Sequence, residues 1–117
     1  MTRRSHSAAR WLALLVLTVG AGSLRAADSM NGARLFLADG CYACHGTTGA
    51  GGGVAGPKLA PDTLPVEAFL AKLRHPSGRM PVYGATVLSD DEVADIVAYL
   101  SSLPPGIPAS QIPLLNP

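Results

Sequence analysis

The run Cys41-Tyr42-Ala43-Cys44-His45 decides how the chain is read. Two thiols separated by two residues can reach the two vinyl groups on one edge of a porphyrin and form thioethers, and the adjacent histidine then faces the iron as proximal ligand. C-x-x-C-H is accordingly the sequence signal for covalent attachment of a c-type haem. It uses both cysteines of the chain. Two other chemistries compete for these residues. A disulfide redox site is expected beside a βαβ pattern, and no run of Val, Ile and Thr precedes Cys41. A structural zinc site needs four ligands, and the region adds only His75 to Cys41, Cys44 and His45.

Upstream of the motif the chain has the form of an export leader. Met1-Thr2-Arg3-Arg4 and Arg10 are basic, Trp11 to Leu24 carry no charge, and Arg25-Ala26-Ala27 ends in small residues. The expected leader is residues 1–26, with the cut after Ala26 preferred over one after Ala27. Ser5-His6-Ser7 follows the Arg3-Arg4 pair where a twin-arginine signal has apolar residues, so the pair is ordinary leader charge. The strongly apolar centre, Trp11 to Val19, is shorter than the roughly 20 residues of a membrane-spanning helix. Membrane association then follows only if the leader is left uncleaved as an anchor. The expected location is the periplasm.

The chain has 117 residues, enough for one domain, expected over residues 27–104 with a proline-rich tail at 105–117. Without residues 1–26 it carries five basic and eight acidic side chains, a net charge of −3, which argues against a nucleic-acid partner. Its single tryptophan, Trp11, lies in the leader. So few large aromatic residues make a thin core in a domain this small, and a covalently held porphyrin would supply the missing apolar bulk.

Three helices are legible in what remains. The first is expected over residues 29–38, with Ser29 as N-cap and Gly40 as stop. Gly32 costs helix propensity there and leaves room for another helix to cross closely, one turn before Phe36. Residues 46–61 hold too much Gly and Pro for helix or strand. They lack the Gly-Lys-Ser/Thr ending of a phosphate loop, and a chain of this composition can lie against a flat porphyrin face. The second helix is expected over residues 64–74, with Pro65 in its first turn, an apolar repeat at Val66, Phe69, Leu70 and Leu73, and Pro76 ending it. An irregular loop follows. The last helix opens on Ser89-Asp90-Asp91-Glu92, a capping box with acids at the positive end of the helix dipole. Its apolar face is Val93, Ile96, Val97, Leu100 and Leu103, and Pro104-Pro105 stop it. The tail beyond is expected to be mostly extended.

His45 leaves one axial position of the iron to be filled. After the motif the candidates are His75 and Met80. Met80 sits in a loop between prolines, where the backbone can turn a side chain inward, and a thioether opposite histidine favours ferrous iron. Met80 is the preferred sixth ligand, with His75 or an open site as alternatives. The other ring nitrogen of His45 needs a partner to fix its tautomer, and the rigid carbonyl of Pro57 is the candidate. Leu59 would then contact the porphyrin.

Taken together, Cys41 to Gly46, Gly56-Pro57-Lys58-Leu59, Arg79-Met80-Pro81 and the helix closing at Ile96 to Leu100 resemble the class I c-type cytochromes. The likeness spans about residues 30–103. It implies an all-α fold of about three to four short helices and loops wrapped around one covalent haem. It further implies a crossing of the first and last helices that brings Gly32 and Phe36 to Ile96 and Tyr99, a Pro57 carbonyl bonded to His45, and Met80 as sixth ligand. Many relatives of that class place a tryptophan on a haem propionate. With none available after residue 26, Tyr83 and Arg79 are the candidates here.

The expected function is that of a periplasmic electron carrier, not an enzyme, exchanging electrons with a dehydrogenase or a respiratory complex as a monomer or as a subunit. A dedicated cytochrome subunit of a periplasmic dehydrogenase is the alternative. A haem peroxidase or gas sensor would need the position taken by Met80 to be open. Lys58, Lys72, Arg74 and Arg79 flank the proposed haem contacts, either as a basic ring that steers an acidic partner or as scattered solvated charges.

Overall fold

The computed structural model describes residues 25–51 and 55–115. They form four helices in the order α1 (Ser29–Ala38), α2 (Tyr42–His45), α3 (Val66–Arg74) and α4 (Asp90–Ser102), and no strand occurs among them.

Helix α1 begins one residue earlier in its cap than the sequence suggests. Asp28 is the N-cap, its side chain accepting from the amides of Met30 (2.9 Å) and Asn31 (3.1 Å), and Ser29 is the first helical residue. A carboxylate satisfies two orphan amides there and adds negative charge at the positive helix end, which a serine hydroxyl cannot. At the other end Gly40, with φ of 75°, turns the chain after the Asp39 cap and starts the turn that becomes α2. Helix α3 starts at Val66, two residues later than expected, because Pro65 is extended and stands outside the helix. Helix α4 has the complete capping box: Ser89 Oγ accepts from the Glu92 amide, and the Glu92 carboxylate accepts from the Ser89 amide at 2.8 Å.

Helix α4 packs mainly on α1 and secondarily on α3. Phe36, Val93, Ile96 and Leu100 are fully buried at this junction. The helices touch backbone to backbone at Gly32, where a Cβ atom would stand 1.9 Å from the Asp95 carbonyl oxygen. One turn on, the rings of Phe36 and Tyr99 meet at 5.8 Å with their planes inclined by 55°.

Asp95 is a buried charge beside the same crossing, with no exposed surface. It accepts from the Asp28 amide (2.6 Å), Asn31 Nδ2 (2.8 Å) and the Arg25 guanidinium (3.1 Å), so a single carboxylate ties the start of α1 to the middle of α4. Burial pushes its pKa up, but these three bonds outweigh burial and hold it below the ordinary 3.8. Arg25 is the penultimate residue of the expected leader. Residues 1–24, where most of that leader falls, lie outside the described residues.

The glycine-rich segment after α2 is a closed loop. The Gly51 amide donates to the His45 carbonyl at 2.9 Å, and the Gly49 carbonyl accepts from both Leu59 and Ala60 at 2.7 and 3.0 Å. After α4 the tail is exposed and less extended than expected. Pro108 and Pro113 fix backbone angles compatible with turns, and short 3-10 turns form at Ala109–Gln111 and Pro113–Leu115.

Two substitutions test this junction in the haem-loaded protein. Gly32→Ala forces two helix backbones apart and should lower stability by about 3 kcal/mol, the upper end of the usual overpacking cost, read from the urea midpoint. Asp95→Ala strands the Asp28 amide and Asn31 Nδ2, the two donors that remain once residues 1–26 are removed, and should cost about 1–3 kcal/mol at pH 7. Because folding depresses the Asp95 pKa, its contribution is present above 3.8 and lost as pH falls below it. The gap between wild type and Asp95→Ala in a thermal-unfolding series should therefore close below pH 3.8.

Candidate haem site

The turn at Gly40 and helix α2 present the C-x-x-C-H motif to one crevice. Cys41 is half-buried, Cys44 is exposed, the two are not joined in a disulfide, and His45 is buried. His45 Nδ1 lies 2.8 Å from the Pro57 carbonyl oxygen. A carbonyl only accepts, so Nδ1 carries the proton and Nε2 keeps its lone pair for a metal.

The loop reaches His45 through Gly56. A Cβ there would stand 2.7 Å from the Cys44 carbonyl oxygen and 2.9 Å from His45 Nδ1, so only glycine lets Pro57 close on the imidazole. Nothing in the loop's composition singles out this glycine, since the requirement arises from the approach of chain 11 residues away in sequence.

The crevice has a volume of about 740 Å³. Cys41, Cys44, His45, Pro57, Leu59 and Met80 all line it, over an apolar wall that includes Phe36, Phe69, Leu73 and Ile96. His75 is exposed and does not line it. The volume falls within the roughly 300–1,000 Å³ of cofactor sites, and the wall is as apolar as a porphyrin requires. The donor set of two thiols, an imidazole with Nε2 available and a thioether fits a haem. Burial, with a smaller push from the Asp39 charge, raises the Cys41 thiol to about 11.

Among the described residues no group of His, Cys, Asp and Glu is arranged to hold a bare metal ion.

The expected basic ring is only partly present. Lys58, Lys72 and Arg79 line the crevice, but Lys58 pairs with Asp62 at 3.1 Å. Arg74 turns away from it, donating to the carbonyls of Tyr83 (2.7 Å) and Leu88 (2.9 Å) and to Asp90 (2.6 Å). Tyr83 lines the crevice with its hydroxyl donating to the Asp39 carbonyl at 2.8 Å.

The family described as cytochrome c oxidase, cbb3-type, subunit III matches residues 27–100. The chain belongs to this family of c-type cytochromes. A cytochrome bc1 complex cytochrome c subunit of Corynebacterium diphtheriae is 39% identical over 79 residues, covering 65% of this chain and 27% of that protein. Subunits of the same description from Mycobacterium bovis and Mycobacterium leprae are 35% and 34% identical, covering 71% and 74% of this chain. The chain spans only 27 to 30% of the length of these relatives. No solved structure is a significant match. As a c-type cytochrome the domain carries covalent haem c, and Cys41 and Cys44 suit thioether attachment. Cytochromes of this family carry electrons and are not enzymes.

Gly56→Ala probes the proximal side. It should lower the stability of the haem-loaded protein by about 1–3 kcal/mol and speed solvent exchange of the His45 Nδ1 proton in NMR. Gly106→Ala, with no atom within 4 Å of the added Cβ, should change neither.

Proposed function

We propose that this cytochrome domain is a periplasmic one-electron carrier in which His45 and Met80 are the axial ligands of a single haem c. The observation that carries this reading is the shared crevice: Cys41, Cys44, His45 and Met80 line it, and His75 does not. Bound haem supplies the Fe(III)/Fe(II) couple, and the chain's own residues hold and tune it. Pro57 keeps His45 in one tautomer and orientation, Leu59 and the apolar wall exclude water, and the Met80 thioether favours the ferrous state.

The partner is a respiratory complex. Relatives named as bc1 complex cytochrome c subunits support this over a dehydrogenase, and the domain serves as a module of such a complex or as its diffusing counterpart. Residues 1–26 deliver it across the membrane. Among the described residues no helix is long and apolar enough to cross a membrane.

Ligation is tested by the oxidised absorption spectrum. The far-red band of thioether-bound ferric haem should be present in wild type and in His75→Ala. Met80→Ala should abolish it, lower the reduction potential and admit carbon monoxide to the reduced protein. A band that survives Met80→Ala sinks the assignment.

A further inference from the structure

The segment that carries Met80 is held by the packing of Met80 against the core and by hydrogen bonds at its neck. Among the described residues, no hydrogen bond ties the backbone from Pro76 to Val82 to the rest of the protein. The neck is Tyr83. Its amide donates to the Leu73 carbonyl at 3.0 Å, its carbonyl accepts from Arg74 Nη1 at 2.7 Å, and its hydroxyl donates to the Asp39 carbonyl at 2.8 Å.

Arg74 is the last residue of α3, immediately before this loop. Its guanidinium folds back over the loop's exit. Nη1 takes Tyr83, while Nη2 takes both the Leu88 carbonyl and the Asp90 carboxylate in the first turn of α4. The Arg74 side chain is only 19% exposed, so its bonds to the two carbonyls are partly shielded from water, whereas the Asp90 side chain is 71% exposed and that pair is open to solvent. A planar fork reaching three acceptors is a geometry that a lysine ammonium cannot reproduce. The electrostatic expectation for this arginine was a place on the rim of the haem edge; its contacts are instead structural ties across a loop whose own backbone makes no hydrogen bonds from Pro76 to Val82.

We propose that Arg74 is a positioning residue for the sixth ligand: by clamping the loop exit to α4, it sets how firmly Met80 is held in the crevice. The inference rests on the reading of Met80 as ligand. Removing the guanidinium frees the Tyr83 and Leu88 carbonyls together and lets residues 75–82 open while the α1–α4 junction, built from other contacts, stays folded.

The test compares haem-loaded wild type, Arg74→Ala, Arg74→Lys and Met80→Ala. In Arg74→Ala the far-red band should vanish at lower urea than the far-UV circular dichroism, and carbon monoxide should bind the reduced protein about tenfold faster without denaturant. Arg74→Lys, which keeps the charge but not the fork, should fall between, and it carries the test if Arg74→Ala does not fold. Coincident loss of band and helix together with a wild-type carbon monoxide rate would reduce Arg74 to a general stabiliser and overturn the proposal. If Met80→Ala leaves both band and rate unchanged, the ligand reading itself fails, and the Arg74 proposal with it.

Discussion

The contact between Gly32 and the backbone of Asp95 is the constraint on which the rest of the structure depends. Two helices can come this close only where one has no side chain, and the closeness fixes their relative position more tightly than a layer of side chains could. Phe36, one turn on, then falls against Tyr99 and Ile96, so its ring both completes the junction and forms part of the crevice wall. Where the end of α1 stands relative to α4 follows from the same contact. Gly40 turns the chain there, and the two thiols and His45 follow within a single turn. Attachment chemistry is thus placed by a helix crossing outside the crevice.

Asp95 makes that crossing specific as well as close. A buried carboxylate is costly unless its lone pairs are satisfied, and here the partners all come from the start of α1 and the residues just before it. Sliding α1 along α4 would leave the charge unpaired, so the arrangement penalises other registers. Apolar residues at the junction would favour contact without penalising a shifted one in the same way. A domain with few large aromatic residues has little packing to spare for specificity, and a bonded charge provides it.

Features decided within a few residues were legible in the sequence. The attachment motif, the stop at Gly40 and the Ser89–Glu92 capping box each depend on chain neighbours, and each stands where the spacing puts it. Gly32 was legible too, because a glycine inside a helix has few other uses. Features decided by tertiary partners were not. Asp28 displaces Ser29 as the cap of α1 because a carboxylate serves two amides. Asp95 has no local signal that sets it apart, because its partners Arg25 and Asn31 lie 70 and 64 residues away. Lys58 and Arg74 counted as rim charges until Asp62, Asp90 and two carbonyls were seen to engage them. Charge can be counted in a sequence, but what it faces is a property of the fold.

The two sides of the crevice are held in unlike ways. His45 sits in a short helix whose following loop folds back on it, with Gly51 on its carbonyl, Pro57 on its ring and Gly49 gathering Leu59 and Ala60. These ties overlap, so the loss of one leaves the others in place. Met80 sits in a segment whose backbone ties converge on Tyr83, and the two groups that grip its main chain come from adjacent residues, Leu73 and Arg74. The histidine side is thus tied by several overlapping hydrogen bonds, and the Met80 side by the neck at Tyr83 together with the packing of Met80 on the core. That division follows from chain connectivity: both cysteines closely precede the histidine, while the methionine arrives from 35 residues further on and is held by what its loop meets.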